Sequence, residues 1–304
     1  MRKQLCDALI ARAKQKHSMV FLTGDLGFMA LEPLREAMGK RFINAGVAEQ
    51  NMISVAAAMG REGMEAWAYS IAPFCYARPF EQIRNDIAFH GLSVKLIGNG
   101  GGYGYGVMGP THHAIEDYGV LLTLPNLRVY VPVFDEDVEA AVEKAGNTHG
   151  PAYLRLGRGE LPAGVSAPAY APWRQLTSGG GVVIVVAGPI AGSYIDQFMQ
   201  MPESNRPNLW VVSELPIRLN QPPVQLIAQL NQSKKMLVIE EHVEQGGIAS
   251  QLALFILTAG IALEKFEHRY ALKHHYEGYG SQVFLRAQSS LDPQSIMSTI
   301  SKIS

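Results

Sequence analysis

Short apolar runs recur along this chain, separated by longer stretches in which polar and apolar residues mix. Met19-Val20-Phe21-Leu22-Thr23 reads as a buried strand and ends in Gly24-Asp25-Leu26-Gly27. Further strands are predicted over 42–44, 64–69, 94–97, 127–133 and 152–156, with helices over 2–16, 33–38, 80–89, 115–124 and 135–144 between them. One more helix follows Ala45-Gly46-Val47-Ala48-Glu49-Gln50-Asn51. Its run 52–59 is apolar almost without a polar break, the mark of a core helix. Strands that alternate with helices predict a mainly parallel sheet covered on both faces.

Residues 159–178 lose this rhythm. Leu161-Pro162-Ala163-Gly164 and Ala167-Pro168-Ala169-Tyr170-Ala171-Pro172 carry turn and extended signals, so 161–178 reads as a linker. A second unit follows, with strands over 182–186, 209–212, 236–239 and 266–271. Gly246-Gly247 leads into an apolar helix over 248–257, and 293–303 reads as a closing helix. The expected architecture is α/β, with two three-layer domains over 1–160 and 179–304.

Composition narrows the function classes. Hydrophobic residues make up 47% and charged ones 17% of 304 residues, enough for a large core. The net charge of −1 gives no electrostatic drive toward nucleic acid or an anionic membrane. Cys6 and Cys75 lie far apart without metal spacing, which suits a reducing cytoplasm. The first residues lack the apolar core of a signal peptide. No run approaches the roughly 18 apolar residues of a membrane span.

Ligands of parallel sheets bind beyond the carboxyl ends of the strands. Those ends carry Gly24-Asp25, the stretch 46–49, residues 70–76, a glycine-rich loop over 98–109, and Arg158. Glu49 has two readings. It complements a helix dipole, or it is a buried carboxyl aimed at a ligand. The convergence on one rim favours the ligand. The glycine-rich loop follows the fourth strand rather than the first, against a dinucleotide-phosphate loop. It ends in Pro110-Thr111-His112-His113, with no third metal ligand at a recognisable spacing. One histidine is expected to donate hydrogen bonds or move protons, and His113 reads equally well as structural. Phe74, Tyr76 and Phe80 are core residues or a stacking surface for a flat ligand. Arg155 and Arg158, three apart on a strand, point to different sides, and Arg158 is the one set to grip a phosphate at the rim.

Ala48-Glu49-Gln50-Asn51, Gly109-Pro110-Thr111-His112 with Glu116-Asp117, and Tyr153-Leu154-Arg155-Leu156-Gly157-Arg158 resemble the pyrimidine-binding domain of transketolases. Glu240-Glu241-His242-Val243-Glu244-Gln245-Gly246-Gly247 and Tyr279-Gly280-Ser281-Gln282 resemble the transketolase C-terminal domain. The resemblance covers nearly the whole chain in the family's order. It implies thiamine diphosphate as cofactor and transfer of a two-carbon ketol unit. By this resemblance Glu49 is the catalytic acid that hydrogen-bonds the aminopyrimidine, and His112 contacts substrate. Phe74 stacks on the pyrimidine, Ile71 stands where the family usually has Phe, and Tyr76 joins them as a cofactor contact. Arg158 binds substrate phosphate, with His113 and Met108 on the same substrate side.

Two departures from the family matter. The diphosphate-binding domain, with its Gly-Asp-Gly and Asn-Asn, has no counterpart here, and Gly24-Asp25-Leu26 belongs to the pyrimidine domain. The resemblance therefore implies a split enzyme. A separate N-terminal subunit would hold the diphosphate and Mg2+ in a heterotetramer with two of each chain, and this chain alone would bind cofactor poorly. The acid that usually precedes Gly-Pro-Thr-His is Met108, and an upstream histidine is replaced around Gly100. Those losses point away from ordinary pentose phosphates toward a modified or less hydroxylated ketose. The other readings are the beta subunit of a 2-oxo acid dehydrogenase first component and a non-catalytic subunit that keeps the fold.

Overall fold

The computed structural model describes residues 1–303 except Phe28, Glu160, Lys273, His275, Tyr276, Glu277 and Tyr279. Its strands are β1 Met19–Thr23, β2 Phe42–Asn44, β3 Glu65–Ile71, β4 Val94–Asn99, β5 Arg128–Tyr130 and β6 Ala152–Leu156. They continue as β7 Trp173–Thr177, β8 Val183–Ala187, β9 Asn208–Val212, β10 Glu214–Leu215, β11 Lys235–Glu240 and β12 Lys265–Arg269. Two sheets result, in the orders β10-β5-β6-β4-β3-β1-β2 and β12-β11-β8-β9-β7. Every pairing is parallel except β10 on β5 and β7 on β9. Helices cover the faces, so β1, β4, β6, β8 and β9 are buried along their whole length. The α/β architecture with mainly parallel sheets is as expected.

The boundary between the halves differs from the sequence reading. Trp173–Thr177, inside the stretch read as a linker, forms the antiparallel edge of the second sheet, with an irregularity between Gln175 and Thr177. Glu214–Leu215 crosses back to close the first sheet against β5. A single apolar cluster runs through both halves and includes Leu22, Ile53, Val129, Val185, Trp210 and Ile248.

The helix Glu49–Arg61 is not buried all round. Met52, Ile53, Ala56 and Ala57 face the core, while Gln50, Asn51 and Ala58 are exposed. Alanine is apolar enough to extend a hydrophobic run, yet small enough to sit on either face. Four helices escape the hydrophobic pattern: Ala72–Tyr76, Gly192–Met199, Val224–Ser233 and Gln282–Gln288. Among the described residues no helix is long and apolar enough to cross a membrane. Tyr279 of the predicted motif lies outside the described residues.

Candidate active site

The rim forms where β2, β3, β4 and β6 end. The chain leaves β3 at Ile71 and turns at once into the short helix Ala72–Tyr76, whose first turn holds Pro73. Phe74 lies on this helix and Arg78 four residues on, one turn further along the chain. The Arg78 guanidinium lies over the Phe74 ring, 3.8 Å from its centroid. Its Nη1 donates to Glu49 Oε1 at 3.0 Å. Glu49 opens the helix that follows β2 and is 7% exposed, whereas Arg78 is half exposed. A cavity of about 320 Å³ between Val47 and Asn51, with Arg78 on its wall, opens beside the carboxyl group.

His112 approaches from the glycine-rich loop. A single turn, Pro110–His112, carries it. Its ring meets Phe74 edge-on with centroids 5.1 Å apart, and its Nδ1 lies 3.0 Å from Thr111 Oγ1. Partial burial, and then the positive charge of Arg78, lower its pKa below the ordinary 6.5, so the ring is neutral near pH 7. Tyr105 flanks it on another side, with ring centroids 6.3 Å apart. Glu49, Arg78, Phe74, His112 and Tyr105 thus form one continuous line of contacts.

His113, one residue later, faces elsewhere. It is 2% exposed, its Nε2 pairs with the Gly106 carbonyl at 3.3 Å, and its ring meets Tyr103 edge-on. It packs the loop from within, which favours the structural alternative over a substrate contact. Tyr76 is also buried. Its hydroxyl donates to Glu116 Oε2 at 3.1 Å, and Glu116 Oε1 accepts from His274 at 2.6 Å. Burial opposes the Glu116 charge, but the bonds from His274 and Tyr76 hold that carboxyl below its usual range. Ile71 is partly buried at the end of β3, and Met108 is exposed on the turn Gly106–Met108.

The two arginines diverge, although Arg158 lies beyond the end of β6 at Leu156, where strand alternation no longer sets its direction. Arg155 is buried, donating to Asp117 Oδ2 at 2.8 Å and to the carbonyls of Ala114 and Glu241. Arg158 is exposed and lines a cavity of about 440 Å³ with Asn99, Gly100, Tyr105 and Asp135.

The C-terminal half grips the loop from behind. The loop is closed by two backbone bonds between Gly102 and Ala114. Glu241 accepts the Tyr103 amide at 2.9 Å and also pairs with Arg286 and Gln282. Gly102 adopts a φ of +65°, and a Cβ there would come within 2.8 Å of the Glu241 carboxyl, so both backbone shape and space demand glycine. Glu240 takes the Tyr118 hydroxyl at 2.5 Å, His268 at 2.9 Å and the first amides of the helix Ile248–Thr258. His242 Nε2 accepts from the Gly119 amide. The segment 240–242 therefore works as a junction behind the site.

Sequence reasoning passed over Arg78, Tyr105 and Asn99. The spacing of four from Phe74 is the available signal for Arg78. The other two carry no signal beyond their place in an unusual loop.

Residues 1–163 match the family profile described as the transketolase pyrimidine-binding domain. The chain belongs to the transketolase family. This transketolase-family chain is similar to an apulose-4-phosphate transketolase subunit of Actinobacillus succinogenes. The identity is 27% over 270 residues, covering 88% of this chain and 86% of that protein. It is also similar to a 6-deoxy-6-sulfo-D-fructose transketolase subunit of Clostridium sp. (strain MSTE9), 32% identical over 157 residues, 51% of this chain and 49% of the relative. A solved split-gene transketolase, described as an inactive β4 tetramer, matches with a TM-score of 0.83 at 26% identity, covering 99% of this chain and 97% of that one. Campylobacter jejuni transketolase shares the fold, with a TM-score of 0.77 at 16% identity. The match covers 99% of this chain but 46% of that one.

Proposed function

We propose that this transketolase-family chain is the pyrimidine-side subunit of a two-chain, thiamine-diphosphate-dependent enzyme. It transfers a two-carbon ketol unit from a ketose or ketose phosphate to an aldose. The observation that carries this reading is the grouping of Glu49, Arg78 and Phe74. A nearly buried carboxyl and an aromatic face already hold a flat, N–H-bearing group between them. An aminopyrimidine presents the same two features, a planar face and a ring nitrogen for the carboxyl, so these residues fit the cofactor. When bound, thiamine diphosphate supplies the nucleophilic carbon that adds to the ketose carbonyl.

The chain's own residues supply the rest. Phe74 orients the ring by stacking, and Glu49 hydrogen-bonds its nitrogen. Arg78 leaves the Phe74 face to admit it. His112, neutral near pH 7 and engaged at Nδ1 by Thr111, moves a proton to or from a substrate oxygen through Nε2. Arg158 holds the substrate phosphate. Domain limits of 1–160 and 179–304 belong to this reading, with β7 of the intervening stretch joining the second sheet and β10 crossing back to the first.

A separate subunit would hold the diphosphate and Mg2+, two copies of each chain forming a heterotetramer. The near-complete match to a split-gene chain supports this, as does the 46% coverage of the longer Campylobacter jejuni transketolase chain. Exposed Met108 in place of an acid favours a modified ketose, and two relatives carry names of modified sugars. Cys6 and Cys75, both free, agree with the cytoplasm. The test is ketol transfer by the reconstituted complex from a panel of modified ketose phosphates. Glu49→Gln should lower turnover about 100-fold or more with assembly intact, on the scale of a lost acid–base group. Full turnover in that variant would favour the non-catalytic subunit instead.

A further inference from the structure

Tyr105 belongs to both ends of the substrate region. Its ring faces His112, and it lines the cavity that also holds Arg158, Arg2 and, as the one carboxylate among the described lining residues, Asp135, which pairs with the Met1 amino group at 2.7 Å. Its position is built. Gly100 has a φ of +80°, and a Cβ there would overlap the Tyr105 ring, so glycine at 100 lets the ring lie across the loop. Asn99, 7% exposed at the end of β4, donates its Nδ2 to the Tyr105 hydroxyl oxygen at 2.6 Å. That bond uses the oxygen as acceptor and leaves the phenolic proton to be donated.

We propose that Tyr105 is a specificity residue, positioned by Asn99, that donates to a hydroxyl oxygen of a phosphorylated sugar whose phosphate rests on Arg158. The proposal deepens the ketol-transfer reading and rests on it. A sugar phosphate anchored at Arg158 and extending toward His112 passes Tyr105 on the way. Met108 carries no group able to bond a hydroxyl there, and the phenol supplies one from another direction. A site that hydrogen-bonds a substrate hydroxyl discriminates against molecules without it, because its own polar group is then left unpaired.

The test is calorimetric titration of inorganic phosphate and of D-ribose 5-phosphate, a probe of the aldose acceptor class rather than of the modified ketose donor, into the chain assembled with its partner subunit. It compares the unaltered protein, Tyr105→Phe and Arg158→Gln. Tyr105→Phe keeps the ring and its packing. It should weaken ribose 5-phosphate about tenfold, on the scale of one hydrogen bond, and leave phosphate within about twofold. Arg158→Gln should weaken both probes. Unchanged ribose 5-phosphate binding in Tyr105→Phe overturns the proposal, as does equal weakening of both probes or no ribose 5-phosphate binding to the unaltered protein. A parallel titration of thiamine diphosphate keeps the two claims apart. If cofactor fails to bind while the sugar-phosphate pattern holds, ketol transfer falls and Tyr105 recognition stands. If cofactor binds and the pattern is absent, the reverse holds.

Discussion

The guanidinium of Arg78 donates to Glu49 at 3.0 Å while covering the face of Phe74 at 3.8 Å. It therefore engages the acid and the aromatic face that an aminopyrimidine would use. Arg78 is half exposed, so the contacts are modest. A surface ion pair and an exposed cation–π contact together contribute on the order of 1–2 kcal/mol. Arg78→Ala should tighten thiamine diphosphate binding to the assembled complex about five- to tenfold, read by calorimetry. Weaker binding in that variant would show that Arg78 holds the cofactor rather than making way for it.

The same arginine acts on His112. Its charge adds to partial burial in lowering the histidine pKa. Titrated by NMR, the His112 ring should show a midpoint below 6.5, and Arg78→Gln should move it upward. The sign for stability follows. The unfolded chain binds the proton more readily, so this contribution is present above 6.5 and is lost as pH falls through the lower folded value.

Behind the site, Asp117 is fully buried and accepts from Arg155 at 2.8 Å and from the Tyr153 hydroxyl at 2.9 Å. Asp117→Asn leaves a buried guanidinium without its counter-charge. The expected loss is about 3–5 kcal/mol, measured by denaturant unfolding.

Glu241 couples the C-terminal half to the loop through the Tyr103 amide and Arg286. Glu241→Ala should speed hydrogen exchange at the Tyr103 amide more than at β1 amides, because the loop loses its anchor while the sheet keeps its ladder. Equal protection at Tyr103 in both proteins would show that the loop holds its own shape.

Legibility followed burial and period. Phe42–Asn44, Ala152–Leu156 and Pro293–Ile303 have the bounds that the hydrophobic pattern predicts, because each places an apolar run or stripe against a core. Trp173–Thr177 is a polar edge strand preceded by prolines and followed by glycines, and Glu214–Leu215 owes its strand character to its partner across the sheet, so neither has a local signature. In the site, Glu49, Phe74 and His112 could be grouped by motif. Arg78 depends on a side chain folding back one turn, and the opposite fates of His112 and His113 depend on which side of the loop is buried. Tyr76 shares the aromatic character of Phe74, but its hydroxyl is committed to Glu116.

The central claim is that this chain supplies the pyrimidine half of a two-subunit thiamine diphosphate site. It is tested most directly by calorimetric titration of thiamine diphosphate with magnesium into the chain alone and into the chain mixed with its partner subunit. The account predicts binding in the mixture and little in the chain alone. Tight binding to the chain alone would contradict it by placing the diphosphate site here. No binding in a mixture shown to be assembled would contradict the cofactor assignment itself.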